Sequence, residues 1–203
     1  MKLKHEIEGF NFGDAVDEIE KIGAVSLGFL SNETRLALLD EVKGFAQRFP
    51  GLTKKGFETA PILQSPFVNE FLAVVQDTLN RQLGGELNVF PSKLDLMPFF
   101  IAYRVGHSGL TPHVDVHDRN LVCNFILAGN APFRVYPKGL ENEIVELDTT
   151  PGRVIVMRTA GFRGVNEHVL HSVGRTESER YVLSLRQPEE ATKKAFRGML
   201  FLQ

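Results

Sequence analysis

The chain has 203 residues, 43% apolar and 24% charged, with a net charge of −2, a balance that fits a soluble globular protein and excludes a disordered or fibrous one. No apolar run is long enough to span a bilayer, and Met1 to Glu8 lacks the apolar core of a signal peptide, so the expected location is the cytoplasm. Basic and acidic side chains number 10 and 14 over residues 1–99, 10 and 9 over 100–186, and 3 and 2 over 187–203, so no segment has the basic excess that binding a phosphate backbone requires.

In chain order, Asp14 is placed to cap a short helix from Ala15 to Ile22, with Val16 and Ile19 on one face and Gly23 as its stop. Ala24 to Leu30 reads as a strand. Ser31 or Asn32 caps a second helix, in which Leu36, Leu39, Val42, Ala46 and Phe49 recur at helical spacing before Pro50 and Gly51 end it. A third helix begins at Ser65 and Pro66, carries Phe67, Phe71, Val74 or Val75, and Leu79 as its stripe, and stops at Gly84 and Gly85. From residue 93 the pattern changes to short β segments near 95–105, 109–116, 120–128, 132–137, 142–148, 152–158, 168–174 and 180–187, separated by Gly and Pro turn signals. Eight short strands at this spacing predict a sandwich or jelly roll. The lone cysteine, Cys123, excludes an internal disulfide and a thiolate zinc cluster; within the apolar run Leu121 to Leu127 it reads as core. Beyond Pro188 a short helix and the apolar tail Met199 to Leu202 are expected. The reading is a single α+β domain over residues 1–203, with helical support over 1–92, a β core over 93–187 and a C-terminal extension over 188–203.

Two stretches carry chemistry. In His113-Val114-Asp115, positions two apart on a strand share a face, which sets an imidazole beside a carboxylate. A second histidine from elsewhere, His171 in His171-Ser172-Val173, completes the two-histidine, one-carboxylate set that binds non-haem Fe(II) and leaves positions open. His168, three residues away, faces the opposite side of a strand and reads as a rim residue; His107 and His117 read as loop residues. The second stretch is Arg180 to Arg186, where Arg180, Val182, Ser184 and Arg186 occupy one face, and Tyr181, Leu183 and Leu185 the other. Arginines turned into a small barrel need an anionic partner. Six residues of strand span about 20 Å, which leaves a gap between the two arginines suited to a small dicarboxylate. The competing reading pairs both arginines with acidic residues at the rims.

Taken in order, these residues are similar to the Fe(II)/2-oxoglutarate-dependent dioxygenase superfamily, with its double-stranded β-helix, and within it to the AlkB-like branch. The matching positions are Tyr103, His113 and Asp115, the Pro151 to Met157 turn and strand, His171-Ser172-Val173, and Arg180-x-Val182-x-Ser184-x-Arg186. The resemblance covers roughly residues 99–187. Val182 stands where that branch prefers Asn, and Ile101 where it often has Asn, and both departures tell against a nucleobase-repair enzyme. The resemblance implies that His113, Asp115 and His171 bind Fe(II), that Arg180 with Tyr103 binds the distal carboxylate of 2-oxoglutarate, and that Arg186 lies nearer the end that chelates iron. It also implies an oxygenase that hydroxylates or demethylates a small molecule or a protein. The alternatives are an AlkB-like nucleic-acid demethylase, which the charge distribution disfavours, and a non-oxidative, cupin-like metal binder on the same jelly roll.

Overall fold

A computed structural model describes residues 2–48, 57–62, 64–84, 87–90, 92–140 and 143–199. Each of the eight strands read from residue 95 onward is present. They are β3 (Met97–Tyr103), β4 (Leu110–His113), β5 (Asp118–Ala128), β6 (Phe133–Val135), β7 (Val145–Leu147), β8 (Arg153–Arg158), β9 (His171–Val173) and β10 (Arg180–Pro188). Upstream lie β1 (Ala24–Phe29) and β2 (Phe57–Pro61), the latter with no counterpart in the sequence reading. The helices are α1 (Lys2–Glu8), also unanticipated, α2 (Val16–Ile22), α3 (Asn32–Gln47), α4 (Pro66–Leu83) and α5 (Glu190–Met199). The strands form two antiparallel sheets, one ordered β1-β8-β5-β10-β3-β2 and the other β4-β9-β6-β7. Both edges of the larger sheet therefore come from the first half of the chain.

Local chemistry sets the helix ends. The Ser31 and Ser65 hydroxyls accept the Thr34 and Val68 amides, Pro66 occupies the first turn where its missing N–H is harmless, and Gly23 stops α2 at φ +102°. Asp14 is not a cap: it lies within a 3-10 turn, Gly13–Ala15, and its carboxylate takes the Asn11 amide instead. The buried face of α3 is Thr34, Leu38 and Val42, with Leu39 and Ala46 partly covered, so the expected stripe holds at 39, 42 and 46 and fails at Leu36, which is 53% exposed. In α4 the buried face is Val68, Phe71, Val75, Leu79 and Leu83, with Phe67 and Val74 only partly covered. Phe49, Pro50, Gly51, Gly85 and the tail beyond Met199 lie outside the described residues.

The larger sheet is buried on both faces, which is why β5 from Leu121 to Ala128 reads as an apolar run broken at Asn124 alone rather than as an alternation. One face packs Leu121, Cys123, Phe125 and Leu127 of β5 and Leu183 and Leu185 of β10 on the helices. Phe125 meets Phe71 edge to face, with ring centroids 4.8 Å apart. Burying each ring contributes roughly 2–3 kcal/mol, and the ring contact about 1 kcal/mol more. Burial pushes the Cys123 thiol far up, so it is inert filler. The opposite face turns Val122, Ile126, Ile101 and Val182 toward Phe133, Val135 and Val173 of the small sheet. Where that inner layer becomes polar, a cavity opens. At its flank α5 is fastened by Lys193, 2% exposed, whose Nζ lies 2.7 Å from Asp95 and 3.1 Å from Glu190.

Candidate metal centre

β4 and β9 pair so that His113 and His171 stand directly opposite each other, their ring centroids 4.3 Å apart. Each ring is oriented by its own backbone: His113 Nδ1 lies 2.8 Å from the Thr111 carbonyl and His171 Nδ1 3.0 Å from that of Val169. A carbonyl only accepts, so Nδ1 is the donor in each ring, and the tautomer that binds a metal is the one with its lone pair on Nε2. Phe133 stacks on His171 at 5.4 Å and 18° and fixes its plane. Asp115 lies past the end of β4 rather than on it, yet its carboxylate reaches both rings, with Oδ1 3.9 Å from His113 Nε2 and Oδ2 3.8 Å from His171 Nε2. One ligand atom from each of the three residues falls within 4.8 Å of the others. Burial is the main influence that lowers the His171 pKa, against the pull of Asp115, which favours the neutral ring, the form a metal needs. His168 lies outside this cluster; His107 packs edge-on against Tyr103, and His117 sits in the turn before β5.

The cluster lines a cavity of about 460 Å³ together with Tyr103, Arg180 and Arg186. Arg180 is 3% exposed, and among the described residues no carboxylate reaches it. Its guanidinium faces Tyr103, its partner on the neighbouring strand, with Cζ 5.3 Å from the ring centre, and Nε has no hydrogen-bond partner. Burial lowers the Arg180 pKa and raises that of Tyr103, since each charged form loses water. Arg186 behaves differently. Nε donates to Ser184 Oγ at 2.9 Å, and Nη1 bonds Asp118 at 3.0 Å and lies 3.6 Å from Asp115 Oδ2. The rim-pairing alternative thus describes Arg186 and not Arg180.

Sequence reasoning missed two polar members of this region. Asp118, 5% exposed, is brought to Arg186 by the β5 and β10 register, and Asn124, 7% exposed, lines the cavity from inside the apolar run of β5. A polar residue on the inward phase of an otherwise apolar strand was the available signal for Asn124. Nothing local distinguishes Asp118 from an ordinary turn aspartate.

Two measurements bear on this arrangement. Gly109 holds φ +90°, and a Cβ there would sit 2.1 Å from the Val173 carbonyl oxygen on β9. Gly109→Ala is expected to push β4 off β9 and part the two histidines. Metal affinity then falls at least ~10-fold while global stability drops by only about 1–3 kcal/mol, and unchanged metal binding would show the pair to be insensitive to that ladder. The second concerns Asp118, whose carboxyl is pushed up to about 6, by burial first and by Asp115, with Arg186 opposing. A folded-state value above the unfolded one means that the native chain binds the extra proton, so this contribution to stability is fully present below about pH 4 and lost as pH rises through 6. Asp118→Asn should remove that loss, improving stability relative to the parent by roughly 2 kcal/mol between pH 4 and 7. A pH-independent difference in denaturant melts would return Asp118 to an ordinary carboxylate.

No protein-family profile and no curated protein matches the sequence. Solved structures do. A prolyl hydroxylase from Trichoplax adhaerens, in complex with a hypoxia inducible factor oxygen degradation domain peptide fragment, superposes with a TM-score of 0.69 at 18% identity over 92% of each chain. A Pseudomonas putida prolyl-4-hydroxylase gives 0.66 at 17% identity over 87% of this chain and 98% of that one. A collagen prolyl hydroxylase of Paramecium Bursaria Chlorella virus-1, solved as a 2OG complex, gives 0.61 at 14% identity over 81% and 94%. The chain therefore has the jelly-roll fold of the 2-oxoglutarate and Fe(II) oxygenases, and it carries inside that fold a His-Asp-His cluster able to hold a metal ion.

Proposed function

We propose that this protein is an Fe(II)- and 2-oxoglutarate-dependent oxygenase that acts on a C–H bond of a protein side chain or a small molecule. The observation that carries this reading is Arg180, a desolvated guanidinium without a carboxylate partner among the described residues, in the same cavity as the His113, Asp115 and His171 cluster. A buried cation of this kind is tolerated where a ligand anion completes it. A jelly roll that only stores a metal or a sugar has no use for it, which disfavours the cupin-like alternative.

In this reading His113 and His171 hold iron through Nε2 and Asp115 through its carboxylate. Arg180, supported by Tyr103, grips the far carboxylate of 2-oxoglutarate, and Arg186 keeps Asp115 turned toward the metal from the other end of the strand. Iron and 2-oxoglutarate together supply the oxidation of the substrate by O₂; the protein supplies placement. Ile101, Leu110, Phe133, Val173 and Val182 give the cavity a largely apolar wall, which lowers the local dielectric and strengthens the attraction between Arg180 and a carboxylate. The peptide bound by the Trichoplax enzyme favours a protein side chain as substrate. The finer likeness to the AlkB-like branch rests on motif order alone, and the near balance of 10 basic and 9 acidic residues over 100–186 speaks against a nucleic-acid substrate.

Anaerobic addition of 2-oxoglutarate to the Fe(II) protein is expected to raise a visible metal-to-ligand charge-transfer band. His113→Ala, Asp115→Ala and His171→Ala should each abolish it while the metal-free proteins melt near the parent, and His168→Ala should keep it. Iron retained by His171→Ala and lost by His168→Ala would reassign the distal ligand. Arg180→Lys preserves charge but not the planar fork, so calorimetry should find 2-oxoglutarate bound at least ~10-fold more weakly, and Arg180→Ala weaker still. Parental affinity in Arg180→Ala would return the protein to the metal-binding class without an oxo acid.

A further inference from the structure

A second, smaller cavity adjoins the first. It holds about 270 Å³, and the two share Thr59, Asp115 and Arg186 as a common wall. A turn shapes it: the Asp118 amide donates to the Asp115 carbonyl at 3.2 Å, and Val116 at the tip is left 51% exposed. Val114 and Val116 on either side of Asp115, Phe99 of β3 and Pro188 of β10 supply apolar walls. Arg180 and Tyr103 do not line it. It therefore meets the histidine cluster through Asp115, at the Arg186 end of β10, about 20 Å along the strand from Arg180.

Among the described residues Asp115, Asp118 and Arg186 are its acidic and basic lining, and each is already engaged. Arg186 lies with Cζ 6.0 Å from the Phe99 ring centre, and its Nη1 is 3.0 Å from Asp118 and 3.6 Å from Asp115. Asp118 is 5% exposed, which leaves a substrate cation no approach to it, and Asp115 faces His113 and His171 as a member of the metal cluster. A charged group entering here would shed its hydration without gaining a partner, whereas an apolar group gains from the walls. Volume sets the size. Pockets that enclose a whole ligand measure roughly 300–1,000 Å³, so this one takes a single side chain while the rest of the molecule stays outside, beside the exposed Thr59 and His117.

We propose that this pocket is the subsite for the oxidised substrate and that it receives one uncharged aliphatic side chain of a peptide, bringing its C–H bond to the cluster at Asp115. The inference rests on the oxygenase reading above and narrows it: charged side chains, lysine and arginine among them, are refused. In net terms the C–H bond becomes C–OH while 2-oxoglutarate becomes succinate and CO₂, one oxygen atom of O₂ entering the alcohol and the other the succinate.

The probe is a set of capped, fluorescein-labelled peptide libraries, each with one residue fixed at the centre and degenerate flanks. Fluorescence polarisation on the anaerobic protein loaded with Fe(II) and 2-oxoglutarate, and succinate release in air, are read for each library. Leu, Ile, Val and Pro centres should exceed Lys, Arg, Asp and Glu centres at least ~10-fold in both. Val116→Glu sets a carboxylate at the mouth on a side chain exposed enough for the fold to tolerate the change. It should lower the aliphatic libraries ~10-fold and raise the lysine library, with 2-oxoglutarate affinity within twofold of the parent. A parent that binds no 2-oxoglutarate brings down the oxygenase reading and this subsite together. A parent that binds it yet favours a charged centre, or responds equally to all centres or to none, overturns the subsite alone. So does a Val116→Glu protein with the parental profile, or one that loses every library together with 2-oxoglutarate, which would mark Val116 as structural.

Discussion

The site depends on the register between two short strands. His113 and His171 face each other only because Leu110 pairs with Val173 and His113 with His171 on an irregular ladder between β4 and β9. A slip of one residue would turn His113 to the other face and put Pro112 in its place. Everything that orients the rings follows from that pairing: the carbonyls two residues upstream that take each Nδ1 proton, Phe133 behind His171, and Asp115 arriving from the turn just past β4. The glycine at the start of β4 exists at a backbone approach that no side chain tolerates.

The larger sheet supplies the opposite requirement, rigidity around charge. Between its two buried faces Arg180 is desolvated with no carboxylate among the described residues beside it, whereas Arg186, three repeats of the pleat away, finds Asp118. The two arginines share a strand face and a residue type, and their environments give them different work. One has Tyr103 beside it, and the other pairs with the protein's own acidic residues.

Much of this was legible from the chain because the relevant periods are short. Arg-x-x-x-x-x-Arg declares its face through the two-residue repeat of a strand, and the eight β segments are bounded by Gly and Pro. What was not legible depends on partners far away in sequence. Phe57 to Pro61 has no strand signature of its own and becomes β2 only because the edge of β3 is free to pair with it. In α3, leucines at 36, 38 and 39 offer two competing stripes, and only the sheet beneath decides that Leu38 goes in and Leu36 stays out. Asp115 satisfied the chemical expectation by a route the strand argument did not foresee, from the turn beyond β4. Asn124 looked like an interruption of an apolar run, because its meaning lies in the cavity and not in its neighbours.

β4 is four residues long, contains Pro112 with no amide to donate, and lies at the outer edge of its sheet with β9 as its one strand neighbour among the described residues. Such an edge is held by few ladder bonds and opens locally at a small fraction of the free energy needed to unfold the six-stranded sheet. Backbone amides of Leu110 and Thr111 would then exchange with solvent long before those of β5. An ion that joins His113 to His171 acts as a clamp across that weak seam, favouring the closed form by RT ln(1 + [L]/Kd). Order at the rim of the barrel becomes a readout of whether the centre is filled, so hydrogen exchange at β4 would register occupancy without any catalysis.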